Sequence, residues 1–150
     1  MSTLQTIDQI QKDIVEEFSL FDNWDDKYEY IIDLGKKLSP IDDHYKKDEN
    51  RVRGCQSTVW LGAEYKEGRI FYQAESDAII VKGLISMLIR VCSGQPAEDI
   101  MKTRLEFIND IGMTSHLAQT RSNGLLSMVK QMKNYALALK LKHAGSNGVT

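Results

Sequence analysis

Two strand-like runs separated only by Lys66-Glu67-Gly68 set the strongest limit on how this chain can fold. Ser57 through Tyr65 carries Thr58, Val59, Trp60 and Leu61, and Arg69 to Ala74 supplies the return run. Beta-rich segments a short turn apart read as a hairpin. A parallel pair would need a long crossover between them, so the expected pairing is antiparallel. The alternation is imperfect, which leaves the register open, and no third strand can be placed from the residues.

Helical patterns flank the hairpin. Within residues 4–38, Ile7, Ile10, Ile14, Val15 and Phe18 form one apolar stripe. Asn23-Trp24-Asp25-Asp26 offers a second helix start, with Asn23 as cap and the two aspartates suited to the first turn. Gly35 closes that helix unless Lys36 to Leu38 extend it, and Ser39-Pro40 breaks the pattern. After the hairpin, Ile80, Leu84, Met87, Leu88 and Val91 cover a helical face, with Asp77 read as the N-cap of a helix beginning at Ala78. Gly94-Gln95-Pro96 separates it from a segment at Ala97 to Ile108. A last helix is expected from Asn123 or Gly124 to about Leu139. The assembly that buries all these faces is an α+β fold, a small antiparallel sheet packed by several helices. The expected organisation is one domain over residues 1–140 and a flexible tail over 141–150.

Charge and hydropathy narrow the function. Nineteen basic residues against 21 acidic ones give a formal charge of -2, so no global field favours nucleic acid. The apolar stretch from Ala78 to Cys92 is interrupted by Lys82 and Arg90 and is too short for a membrane span. The first residues do not read as a secretory signal, so a cytoplasmic protein with free thiols is expected.

Chemistry concentrates at Arg51-Val52-Arg53-Gly54-Cys55-Gln56-Ser57. Nearby cations favour the thiolate, the nucleophilic form of cysteine. Gly54 permits unusual dihedrals, Gln56 and Ser57 add donors, and Arg51 and Arg53 need not both turn toward the thiol. Read locally, Cys55 is either a reactive thiol or a packed structural cysteine whose arginines solubilise a loop. Cys92, at the end of an apolar helix, reads as buried and inert, with a resolving role as the alternative. His44, Cys55, Cys92, His116 and His143 show no zinc spacing. Asp77 either caps its helix or gates access to Cys55. Arg121 either faces solvent or bonds across the domain, and Asn123-Gly124 shapes a helix start.

Several segments together resemble the SufE family of sulfur-acceptor proteins. They are Asn23-Trp24-Asp25-Asp26-Lys27-Tyr28, Tyr30 to Gly35, Gly54-Cys55-Gln56-Ser57-Thr58-Val59-Trp60, Ser76 to Ile85, His116-Leu117 and Thr120 to Leu125. The resemblance spans roughly residues 8–139. It implies a fold related to iron–sulfur assembly scaffolds and places Cys55 at the sulfur-accepting position. The implied partner is a SufS-like cysteine desulfurase that uses pyridoxal phosphate. That cofactor belongs to the partner, and none is expected in this chain.

On the same resemblance, Cys55 takes persulfide sulfur from the desulfurase, stimulates its turnover and relays sulfur to a downstream iron–sulfur scaffold. It supports no desulfurase activity of the chain's own. Arg51, Arg53, Gly54, Gln56, Ser57, Asp77 and Arg121 are the implied supporting residues, with Val59 and Trp60 as loop support. The alternatives are an iron–sulfur scaffold and a noncatalytic desulfurase-binding regulator. Monomer and homodimer both remain open, and neither a nucleic-acid nor a membrane partner is expected.

Overall fold

The computed structural model describes residues 5–54, 57–116 and 119–148. The hairpin lies at its centre. β1 (Val59–Lys66) pairs antiparallel with β2 (Arg69–Ser76), in a register running from Val59↔Ser76 to Lys66↔Arg69. Glu67 and Gly68 form the two-residue turn with φ of 53° and 82°. Positive φ at both positions matches the twist of the flanking strands. β2 alternates cleanly, burying Ile70, Tyr72, Ala74 and Ser76 on one face while Phe71 faces outward. A third strand, β3 (Gln95–Pro96), pairs Ile70↔Gln95 and completes the order β1-β2-β3. It is only two residues long, and its proline sits on an edge where no ladder donor is required.

Helices cover the sheet as an α+β assembly. α1 (Ile7–Phe18) opens with a capping box between Thr6 and Gln9 and buries Ile7, Ile10, Ile14 and Phe18. α2 (Trp24–Lys36) begins where the sequence indicates, with the Asp26 N–H donating to Asn23 Oδ1 at 2.9 Å. Gly35 lies inside α2 rather than beyond its end. It faces α3 (Ile79–Cys92), where a Cβ on Gly35 would stand 2.8 Å from the Gly83 nitrogen. The reason for glycine there is close helix packing, not helix termination. α3 buries Leu84, Met87, Leu88 and Val91 as its stripe requires.

One hydrogen-bonded cluster ties the three helices at the surface. Nη1 and Nη2 of Arg90 on α3 donate to the Glu17 carboxylate of α1, at 2.9 and 2.6 Å, and the Tyr30 hydroxyl of α2 donates to it at 2.5 Å. The hydrogen bond from Arg90 is the main influence holding the Glu17 carboxyl below its ordinary value of 4.5. Burial, reinforced by Glu17, pushes the Tyr30 hydroxyl up to about 12. A carboxyl depressed by folding stabilises above its unfolded pKa and loses that contribution as pH falls through its folded value. The stability advantage of the native protein over Glu17→Gln should therefore be present at pH 7 and be lost as pH falls below 4.5 in thermal melts at stepped pH.

The remaining chain fills in a segment the sequence left unassigned and departs from the sequence reading at the last helix. Ala97 to Ile108 is broken into α4 (Ala97–Lys102) and α5 (Phe107–Asp110), with Thr103 extended between them. Lys133 Nζ donates to the Thr103 carbonyl at 2.6 Å, satisfying a group the break exposes. α6 runs from Gln119 to Gly148, longer at both ends than the expected Asn123 to Leu139. Its Met128, Met132 and Ala136 enter the core, and the Met132 carbonyl accepts the Tyr72 hydroxyl at 2.6 Å. Near the far end, His143 stacks on Tyr65 of β1 with ring centroids 4.0 Å apart. Among the described residues no helix is long and apolar enough to cross a membrane.

Candidate functional site

The segment containing Cys55 is framed by backbone pairing at both of its legs. Arg51 bridges Trp60 in antiparallel fashion, and the Val52 N–H donates to the Val59 carbonyl at 2.9 Å. These contacts make a short stem that encloses residues 53–58. Val52 and Val59 point into the core at 4% and 1% exposure, which fixes the stem's inner face. Arg51 and Arg53 are both exposed on either side of Val52. Cys55 and Gln56 themselves lie outside the described residues.

Gly54 sits on the first leg with φ of +87°, a conformation that disfavours a side chain. A Cβ there would also stand 2.8 Å from Ser127 Oγ on α6. The dihedral is what favours glycine, and the chain here lies against the final helix. Ser57, half-buried, begins the second leg.

Asp77 holds that second leg. Its Oδ1 accepts the Thr58 N–H at 3.0 Å, while its own N–H donates to the Thr58 carbonyl at 3.3 Å. The expected N-cap role is not what the structure has. Ala78 occupies the cap position of α3, and Ser76 Oγ accepts the Ala78 N–H at 3.2 Å. Asp77 extends the β1–β2 pairing by one step, and its carboxylate takes a donor beyond the ladder's end. Asp77→Ala should leave that donor unpartnered and cost about 1 kcal/mol. It should also speed alkylation of Cys55 by iodoacetamide, because the second leg is held by one hydrogen bond fewer. An unaltered melting temperature and alkylation rate would show that this contact does not restrain the loop.

Asn50 and Tyr135, not singled out as site elements in the sequence, brace the stem from behind. Asn50 Nδ2 donates to the Leu61 carbonyl and to the Tyr135 hydroxyl, each at 3.1 Å, and Tyr135 donates to the same carbonyl at 3.2 Å. Trp60 is half-buried, with Lys46 Nζ 6.0 Å above its ring and paired to Glu75 at 3.3 Å. Their polarity carries a weak signal; their pairing across 85 positions carries none.

Two further sequence segments converge on the approach to α6. Trp24 stacks on His116 with centroids 3.8 Å apart, and the Tyr28 hydroxyl donates to the His116 carbonyl at 2.8 Å. The start of α2 therefore anchors the chain just before α6. Arg121 lies in the first turn of that helix, and its side chain is outside the described residues. His44 packs on Tyr45 in a short turn.

The second thiol has a different environment. Cys92 is 1% exposed at the end of α3, and burial pushes its pKa up to about 12, with Lys133 opposing the shift. It is protonated and inaccessible at neutral pH, a poor nucleophile on both counts. Among the described residues no three His, Cys, Asp or Glu side chains converge as metal donors. An open groove of about 1010 Å³ runs along α1 and residues 99–110, including Lys12, Lys102 and Arg104, and shares no residue with the loop.

Comparison with known proteins identifies the family and the fold. The family model SufE, described as an Fe-S metabolism associated domain, matches residues 12–136. The chain is 37% identical over 143 residues to SufE-like protein 1, chloroplastic/mitochondrial, of Arabidopsis thaliana; the match covers 93% of this chain but only 38% of that longer protein. It is 36% identical over 128 residues to an uncharacterized SufE-like protein of Rhizobium meliloti, covering 82% of this chain and 91% of that one. The solution structure of a hypothetical protein from Thermus thermophilus shares the fold with a TM-score of 0.74 at 16% identity, covering 88% of this chain and 96% of that one. A hairpin-framed loop, a matched fold and a family model spanning most of the sequence lead to one assignment: the chain belongs to the SufE family, whose general role is sulfur transfer for iron–sulfur cluster assembly.

Proposed function

We propose that Cys55 accepts sulfur from the persulfide of a pyridoxal-phosphate-dependent, SufS-like cysteine desulfurase and passes it to a downstream iron–sulfur scaffold. The observation that carries the reading is the environment of Cys92. Of the two thiols in the chain, Cys92 is buried and held protonated, which leaves Cys55 for nucleophilic work. The framed stem supports this by offering a loop braced at both legs and against α6.

In the transfer step, the Cys55 thiolate attacks the terminal sulfur of the donor's persulfide. A bond forms between Cys55 Sγ and that sulfur, and the bond between it and the donor cysteine breaks. The donor cysteine leaves as thiolate, Cys55 becomes a persulfide, and the proton on the terminal sulfur stays with it. The step needs an accessible thiolate and a collinear approach. Gly54, Ser57 and Asp77 position the loop for that approach, and Gln56 and Arg121 are assigned supporting roles through their sequence positions. Removing sulfur from the donor frees it for another cycle, which makes the chain an activator with no desulfurase chemistry of its own. We assign this activity to residues 1–140 and to the cytoplasm.

The test is alanine release from L-cysteine by a PLP-dependent desulfurase with and without this protein. Turnover should rise with added protein and saturate. An active desulfurase that binds the protein but gains no turnover would overturn the activator role.

A further inference from the structure

A sulfur donor to Cys55 comes up beside Arg51 and Arg53, two exposed arginines without an ion-pair partner among the described residues. Arg51 and Arg53 are exposed, while the buried Val52 between them and the Arg51–Trp60 bridge hold the backbone beneath them in place. The neighbouring carboxylates are engaged elsewhere. Glu75 pairs with Lys46, Glu49 with Lys47, and Asp77 with the Thr58 N–H. Asp48, on the preceding turn, makes no ion pair with either arginine; its carbonyl accepts the Arg51 N–H instead. Lys46, over the Trp60 ring, adds a third and partly neutralised cation.

Covalent geometry keeps the donor close to these arginines. At full extension the Cα of residue 55 lies within about 7 Å of the Arg53 Cα. Sulfur transfer requires contact between the two sulfurs, which brings the donor surface within reach of the long Arg53 side chain, where exposed charges interact over about 8 Å at physiological salt. An apolar or basic donor face would strand two guanidinium groups against it, a costly arrangement for charge removed from water. A face bearing carboxylates would instead engage them in charge-assisted, bidentate pairs.

Resting on the acceptor reading above, we propose that Arg51 and Arg53 form a docking fork for an acidic rim around the persulfide-bearing cysteine of the donor. The fork selects the donor and speeds encounter; it makes and breaks no bond.

The experiment measures the dissociation constant between the full-length protein and a PLP-dependent cysteine desulfurase at low and high sodium chloride, for the native chain and for Arg51→Gln/Arg53→Gln. Sulfur on Cys55 is read in parallel by mass. Native binding should weaken about tenfold with salt, and the double variant should start about tenfold weaker and respond little to it. Charge reversal with Arg51→Glu/Arg53→Glu should bind more weakly still. Circular dichroism checks that these exposed substitutions leave the fold intact. A double variant with the native dissociation constant and salt slope overturns the fork, and so does an absence of binding at every salt concentration. Loading of Cys55 with an unaltered salt slope removes the fork and leaves the acceptor reading standing. Arginine-dependent binding without sulfur on Cys55 does the opposite.

Discussion

Cys55→Ser is expected to leave the fold intact and reduce persulfide acceptance to background. A serine hydroxyl is a weak nucleophile without an adjacent base, and it cannot carry a sulfane sulfur as cysteine does. The loop depends on contacts at Val52, Gly54, Thr58 and Asp77, so changing residue 55 should spare the frame. Cys92→Ser makes the contrast. It should still accept sulfur through Cys55, but it places a hydroxyl in a core position of 1% exposure and should cost about 1–2 kcal/mol. Mass analysis of both variants after sulfur loading, with melting curves beside it, checks the division of roles. Equal loading of the two variants would contradict it. Stimulation of the desulfurase retained by Cys55→Ser would identify a noncatalytic regulator.

Gly83→Ala should be the most damaging small substitution in the helical layer. A Cβ at that position would lie 2.2 Å from the Ile31 carbonyl oxygen and 2.4 Å from Ile31 Cγ2. Neither atom is the free end of a flexible chain, so α2 and α3 must move apart. Helix propensity favours alanine over glycine by about 1 kcal/mol, which works against the expected loss. Overpacking of this severity should win, giving a net loss of about 3 kcal/mol. For a chain of this size that corresponds to a melting temperature lower by roughly 10 °C. An unchanged or raised melting temperature would mean that the helices separate at little cost. The consequence reaches the site, because α3 begins just after Asp77 and α2 anchors the segment leading into α6.

The parts of this architecture legible in the sequence are those set by neighbours along the chain. The hairpin follows from two apolar runs and a Glu67-Gly68 turn whose conformation suits it. Asn23 was readable as a cap because its partner, Asp26, is three residues away. Asp77 was not: a carboxylate before a helix has the same local signature whether it caps or pairs with Thr58, and the strand register decides. Gly35 looks like a helix end until α3 is placed against it. β3 is too short to show any period, and its residues pair only because Gly94 brings the chain back along β2, its N–H donating to the Ile70 carbonyl at 2.7 Å.

α6 exceeds its expected length for a similar reason. Gly145, Ser146, Asn147 and Gly148 are weak helix formers, and the His143–Tyr65 stack that ties this end to β1 is a tertiary contact. At the site, Cys55 stood out through its immediate neighbours and the matched segments around it. Ser127 and Tyr135 did not, since each acts on the loop or its stem from a helix far along the chain.

The most direct measurement incubates this protein with an active PLP-dependent cysteine desulfurase and L-cysteine, then localises added sulfur by peptide mass analysis. The expected result is one desulfurase-dependent sulfur atom on the peptide containing Cys55, with none on the Cys92 peptide. Sulfur on Cys92, or no addition with a desulfurase shown to bind and turn over, would contradict the acceptor role.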